Sequence, residues 1–502
     1  MGTGIDQEVF AERDYARFRE RLERCLSALG RLLDRPAFGA GPATVGAELE
    51  LFLVDGAGRP LPRNEAVRAE VADPRVSVEL NRCNLELNAS PAPLAGRPFA
   101  ALAAELSMLL DRVAEAAAGR GGRLALIGIL PTLSRDDLSV RMMTDTPRYQ
   151  ALNRSLRRLR QGQVRIRIAG SDPLQLTSDD IAIEGANTSF QVHLRVDPAD
   201  FTRTYNAVQL ATAPALAVAG NSPTFLGHRL WEETRIALYK QAIDDRPGRE
   251  PRRRLARAAL GTGWLRGGAV ELFAESVRLH QPLLPVLDED HLPGAADHSV
   301  PSLAELRLHQ GTVWPWNRVI YDPAAGGHLR IEMRALPAGP TSIDMLANAA
   351  FLIGLSLWLA GQDQRWTFEL PFERADHGFY RAAQHGLNAR LSWPRGPGGR
   401  IQTVRAADLM PELLPAARQG LLGAGVAAGE ADRLLAVISG RAASGQTGAA
   451  WQRTALADAL RSHGRKRALS VMLDRYLARA GTGQPVHTWP AAGARKAGSH
   501  DR

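Results

Sequence analysis

Residues 327–334, Gly-His-Leu-Arg-Ile-Glu-Met-Arg, alternate without a break between two chemistries. Successive side chains of an extended strand point to opposite faces. One face therefore carries Leu329, Ile331 and Met333, and the other carries His328, Arg330, Glu332 and Arg334. The first face is oily enough to lie on a core. The second sets two guanidiniums around a carboxylate, an arrangement suited to holding phosphate, carboxylate and metal together.

Three further stretches repeat this pattern. In residues 45–53, Glu48 and Glu50 share a face opposite Leu49, Leu51 and Leu53. Two carboxylates about 7 Å apart repel by roughly 2 kcal/mol at an effective dielectric of about 20, and a cation between them reverses the sign. A solvent-facing acidic edge is the alternative. In residues 78–88, Glu86 shares a face with Asn84 and Asn88, opposite Leu85 and Leu87. Glu79 lies seven residues earlier, an odd spacing that turns it away unless a turn or bulge intervenes. Residues 81–84 can supply that turn. In residues 189–195, Gln191, His193 and Arg195 oppose Phe190, Val192 and Leu194. Carboxylate-rich oxygen sites favour Mg²⁺ or Mn²⁺ over zinc. Arginines beside such a site point to a polyphosphate whose transfer the metal assists. No glycine-rich loop ends in Gly-Lys-Ser/Thr, so nucleotide binding needs another scaffold than the P-loop.

Helices and strands mix without a regular βαβ rhythm, which argues for an α+β fold. Helices are expected over 11–34, 98–118, 148–159, 198–219, 228–243, 268–280 and 343–360. Strands are expected over 45–54, 124–129, 188–196 and 328–334, with 76–88 extended or hairpin-like. Residues 405–480, rich in Ala, Leu and Arg, read as helices. The expected division is an N-terminal helical segment 1–39, a catalytic domain 40–400, a helical region 401–480 packed on it, and a disordered tail 481–502.

Of 62 basic residues only Lys240, Lys466 and Lys496 are lysines, a compositional bias before it is a functional signal. The dense basic runs at 154–167 and 249–257 lack interleaved aromatics and read as solvated faces, not as a nucleic-acid or membrane surface. Cys25 and Cys83 make neither a disulfide framework nor metal spacing. Residues 1–18 lack an apolar signal core. The apolar run 343–360 contains Asp344 and Asn348, follows the N-caps Thr341 and Ser342, and stops at Gly361, so it reads as a buried helix rather than a membrane span. A soluble cytoplasmic protein is expected.

The ordered set resembles the glutamate–cysteine ligase family of GCS2 type, carboxylate–amine ligases similar to glutamine synthetase in catalytic fold. It comprises the Glu-x-Glu strand, Glu86, Phe-Gln-Val-His, residues 219–223 (Ala-Gly-Asn-Ser-Pro), Arg235 and Arg-x-Glu-x-Arg. Residues 444–451 also look related, and His309-Gln-Gly-Thr and Trp314-Pro-Trp-Asn-Arg resemble a less characterised bacterial branch. The resemblance implies a curved antiparallel sheet forming a funnel, with ATP and amino-acid-like substrates entering from its two sides. It implies that Glu48, His193 and Glu332 hold one metal, and Glu50, Glu86 and Glu79 a second. Arg330 would contact nucleotide phosphates, and Arg334 would neutralise the acyl phosphate or a substrate carboxylate. Arg235 is a candidate for carboxylate binding, and Asn187, Gln191 and Asn221 are candidate polar liners. The implied activity is ATP- and Mg²⁺-dependent amide formation through an acyl phosphate, from glutamate and cysteine or a related pair. The same scaffold leaves open a guanidino or other small-molecule kinase and a non-catalytic nucleotide or amino-acid sensor. The oligomeric state stays open, a homodimer among the options.

Overall fold

The computed structural model describes residues 5–247, 254–288, 300–395 and 400–490. Seven strands form its central antiparallel sheet: β1 (Thr44–Asp55), β2 (Val76–Val78), β3 (Asn84–Pro93), β4 (Gly122–Ala125), β5 (Phe190–Val196), β6 (Asn317–Asp322) and β7 (His328–Met333). Their order is β6-β7-β5-β1-β3-β2, and β4 pairs with the far end of β1. The sheet is the curved antiparallel one expected.

Directly paired residues of antiparallel strands share a face. Glu332 pairs with His193, Glu48 with Gln191, and Glu50 with Glu86, so four strands pool their polar residues on one side. The other side is apolar apart from Asn317, which donates to Gln209 and Thr212. Leu49, Leu51, Leu85, Leu87, Val192, Leu194, Leu329, Ile331 and Met333 are all buried in one core with the helices behind the sheet. Two of those helices, Phe201–Ala219 and Ser342–Gly361, are buried almost all round. The latter is long and apolar enough to cross a bilayer, but 83% of its most apolar window is buried here. Thr341 caps it by accepting from the Asp344 amide. Gly354 and Gly420 let it cross the helix Ala406–Gly423 with the backbones in contact.

Beyond Glu50, the site face of β1 turns apolar. Phe52 and Val54 join a second core with Ile127, Ile129 and the helices Gly448–Leu460 and Arg465–Ala480. That core closes one end of the polar face. The C-terminal helices are thus shared between the two cores. Arg441, buried on the helix Ala428–Ser444, ties them to the sheet layer through Asp344 at 3.0 Å and Asn348 at 2.6 Å.

The structure departs from the sequence reading in five places. The helix expected over 228–243 begins at Thr234, because Thr224–Phe225 and His228–Arg229 form a tight hairpin first. Strand pairing at 124–129 ends at Ala125. Val164–Ile168 and Leu174–Ser178 form a hairpin inside and beyond a basic run read as solvated. In the same run Arg160 is buried and donates to the Ala242 carbonyl, and in the run 249–257 Arg257 is buried against Asp245 at 2.8 Å. Residues 481–490, expected in a disordered tail, are packed: Trp489 is buried edge-on against Trp451 and Tyr476. Residues 491–502 lie outside the described residues.

Candidate active site

A cavity of about 410 Å³ opens on the polar face of the sheet. That volume suits a small-molecule site. Its floor is built by alternation. Glu48 and Glu50 come from β1, Glu86 from β3, Gln191 and His193 from β5, Arg330 and Glu332 from β7, and Arg334 follows β7 directly. Glu79 joins them because residues 79–84 leave the strand. The Asn84 amide donates to the Asn81 carbonyl at 2.8 Å, and this turn brings Glu79 round to Glu86.

The acids gather into two triads, Glu48 with His193 and Glu332, and Glu50 with Glu79 and Glu86. Within each triad, one ligand atom per residue lies within 4.8 Å of the others. Carboxylates at that distance repel by about 3 kcal/mol per pair at an effective dielectric of about 20. The two triads answer that repulsion differently.

The first is compensated by the protein. Arg318 grips Glu332 with two guanidinium nitrogens at 2.5 and 2.9 Å. Arg334 donates to Glu332 at 3.3 Å and to Gln191 Oε1 at 2.5 Å. Burial opposes the Glu332 charge, but Arg318, Arg334 and His193 outweigh it and hold the carboxyl far below its usual range. Burial likewise opposes the Glu48 charge, and His193 overcomes it, taking Glu48 to about 2. His193 Nε2 lies 3.2 Å from Glu48 and 4.0 Å from Glu332. Neither ring nitrogen makes an aligned hydrogen bond, although both are buried. A buried imidazole left so is costly unless something else takes its lone pair.

The second triad is not compensated. Glu50 accepts from the Ser189 amide at 2.7 Å and from Gln191 Nε2 at 3.0 Å. Glu86 accepts from Ser77 and Asn88, both on Oε1. No ion pair reaches Glu50, Glu79 or Glu86 among the described residues. Burial, with the charges of Glu48 and Glu50 added, pushes Glu86 up to about 7. Burial and the charges of Glu86, Glu50 and Glu184 push Glu79 well above the usual carboxyl range. Glu50 is raised by burial despite Arg334 and Arg235. Five carboxylates and one imidazole, with three of the carboxyls raised by burial, fit divalent cations of the Mg²⁺ or Mn²⁺ type.

Arg330 lines the same cavity and is held by Asp322 at 2.6 Å. The structure does not bring Asn187, Arg235 or Asn221 to the cavity wall. Arg235 is buried behind it, on Glu233 at 3.1 Å and the Ala335 carbonyl. The Asn221 amide nitrogen donates to the Ala338 carbonyl and the Tyr476 hydroxyl, and its side-chain oxygen accepts from Gln452. It clamps the C-terminal helices to the sheet. Asn187 donates to the Glu184 carbonyl and closes a turn. The expected contacts of these three residues with substrate give way to packing roles.

Cavity residues that went unread in the sequence include Arg318, Glu184, Tyr149 and Tyr239. Arg318 was legible. Residues 317–322 alternate Asn, Val and Tyr with Arg, Ile and Asp, and the arginine ends the Trp-Pro-Trp-Asn-Arg motif. Glu184 sits in a 3-10 turn, Ala182–Ala186, which has no periodicity to betray it. Burial and the charge of Glu50 push its carboxyl up to about 8.

No curated protein sequence matches this chain. Among solved structures, a glutamate–cysteine ligase from Francisella tularensis in complex with AMP superposes with a TM-score of 0.56 at 12% identity, covering 91% of each chain. A bifunctional glutathione synthetase from Pasteurella multocida gives 0.46 at 12% identity, over 90% of this chain and 54% of that one. These likenesses concern the fold. The profile of glutamate-cysteine ligase family 2 (GCS2) matches residues 44–469, a span that takes in every strand of the sheet and both triads. By that match the chain belongs to the GCS2 family and is an ATP-dependent ligase that forms a carbon–nitrogen bond.

Proposed function

We propose that this protein activates the side-chain carboxylate of glutamate with ATP and joins it to the amine of cysteine or a related small amine. The observation that carries the reading is the pair of acidic triads on one sheet face, one with arginines on its carboxylates and one without. Glu48, His193 and Glu332 would hold one cation, and Glu50, Glu79 and Glu86 a second. Bound Mg²⁺ or Mn²⁺ would supply the positive charge that offsets the negative charge building during phosphoryl transfer.

The chain's own residues account for the rest. Arg330, more exposed than Arg318 or Arg334, is placed to meet nucleotide phosphates once it releases Asp322. A carboxylate oxygen of the substrate attacks the γ-phosphorus, and ADP leaves. Arg334 is held flat by Gln191, Glu332 and Tyr239, so its guanidinium is pre-oriented toward the acyl phosphate or the substrate carboxylate. The amine then attacks the acyl carbon, the amide forms and phosphate departs. Water must be kept from that intermediate. Leu152, Ile181, Ile243 and Phe273 give the cavity an apolar flank that discourages it.

The test incubates purified protein with ATP, Mg²⁺, L-glutamate and a panel of amines including L-cysteine. The expected result is ADP, phosphate and an amide of the summed mass less water. Absence of nucleotide turnover with every pair would overturn the reading.

A further inference from the structure

Arg148, Glu184 and Arg307 are charged groups of the cavity with no function in the scheme above. Glu184 lines the cavity from the 3-10 turn Ala182–Ala186, outside both triads but close enough to the second that its charge bears on Glu79 and that of Glu50 bears on it. Among the described residues no side chain or amide donates to its carboxylate and no cation pairs with it. Its backbone carbonyl, by contrast, is capped by Asn187. The cation that bears on it most is Arg334, and Arg334 is already spent on Gln191, Glu332 and the Tyr239 hydroxyl. Burial and Glu50 favour the neutral form of this carboxyl, and a cationic ligand beside it would restore the carboxylate.

Two aromatic rings share the same space. Tyr149 and Tyr239 both line the cavity, and both phenols lie within electrostatic reach of Glu184. Their hydroxyls are turned to other partners: Tyr149 donates to the Val78 carbonyl, and Tyr239 accepts from Arg334. Both side chains add aromatic surface to the cavity wall. A carboxylate beside aromatic faces is a chemistry that selects an organic ammonium. The acid neutralises the charge, the N–H groups find acceptors, and the rings attract the cation. A phosphate or carboxylate would be repelled there by Glu184 and the acids beside it.

We propose that Glu184, flanked by Tyr149 and Tyr239, binds the ammonium group of the amine-bearing substrate and so selects a primary amine over its uncharged counterpart. This inference rests on the ligase reading for the identity of that substrate, but not for the existence of the ammonium site.

The experiment is a thermal-shift titration of the full chain with Mg²⁺ and a non-hydrolysable ATP analogue present. The probes are methylamine, ethanolamine, L-cysteine and L-glutamate, each against its analogue lacking the amino group. The proposal expects at least one amine to stabilise the wild type and its deaminated partner to act at least ten-fold more weakly. Glu184→Gln should lose at least ten-fold in apparent affinity for that amine, with the Mg²⁺ and nucleotide responses kept, and Glu184→Asp should recover part of the loss. Any of three results would overturn the proposal: an unchanged amine response in Glu184→Gln, a loss confined to the Mg²⁺ response, or a wild type indifferent to the whole panel. If the amine response depends on Glu184 while the wild type never consumes ATP, the ammonium site stands and the ligase reading falls.

Discussion

Replacing Glu86 by glutamine should make the metal-free protein more stable, not less. Glu86 is buried opposite Glu50, and burial plus its acidic neighbours lift its carboxyl from an ordinary value near 4.5 to about 7. For an acid, a folded-state value raised above the unfolded one means that stability is lost as pH climbs from the unfolded value through the folded one. A shift of between two and three units corresponds to about 3 kcal/mol of destabilisation at pH 8. Glutamine removes the charge and keeps the local bonding, because Ser77 and Asn88 both donate to the same oxygen of Glu86, and a single amide oxygen can accept both. Unfolding entropy of roughly 2 cal/mol/K per residue gives about 1 kcal/mol/K for a chain of this size, so the melting temperature at pH 8 in chelator should rise by about 3 °C. Addition of Mg²⁺ should then stabilise the wild type more than the variant, which keeps the first triad but loses a ligand of the second. Calorimetry at pH 8 with and without chelator reads both effects. A variant less stable than wild type in chelator, or one with an undiminished Mg²⁺ response, would refute the argument that crowded carboxylates store the need for a cation.

The Mg²⁺-induced stabilisation of the wild type should itself grow between pH 5.5 and 8, since binding must displace protons from Glu86 and Glu79; a flat profile in a thermal-shift series would contradict this. Arg318→Ala should cost about 3 kcal/mol or more in urea unfolding, because it strips the two-pronged partner from buried Glu332, whereas a cost near zero would mean that Arg334 suffices alone. Gly420→Ala should destabilise by at least about 2 kcal/mol, since the new methyl meets the Gly354 carbonyl in a backbone-to-backbone crossing that cannot yield; soluble expression with an unchanged urea midpoint would show otherwise. Asn221→Ala should lower stability without changing the KM for any substrate, and a selective KM change would return Asn221 to the site.

The legible part of the molecule is the part with a period. Alternation in 45–53, 189–195 and 328–334 assigned each residue to a face, and the register then stacked those faces on one another. Helix ends marked by Thr341 and Pro98 were equally readable. Glu79 shows how far that logic stretches: parity excluded it from the site, and only a turn at residues 81–84 restores it. What escaped had either no period or two competing meanings. Arg235 and Asn221 sit in motifs shared with ligases, yet short polar motifs serve a tight packing junction as well as a substrate, and these two are consumed by Glu233, Tyr476 and Gln452. The basic run at 154–167 was read by charge alone, and Arg160 and the hairpin after it show that arginine stems and guanidiniums can be structural when carbonyls wait for them.

The central claim is that a substrate carboxylate is phosphorylated and then displaced by an amine. The direct test supplies L-glutamate labelled with ¹⁸O in its side-chain carboxylate, together with ATP, Mg²⁺ and the amine panel, and follows the label by mass spectrometry. The account predicts one ¹⁸O in the released phosphate for each amide formed. Unlabelled phosphate, or a phosphorylated guanidine or amine with no amide, would contradict it.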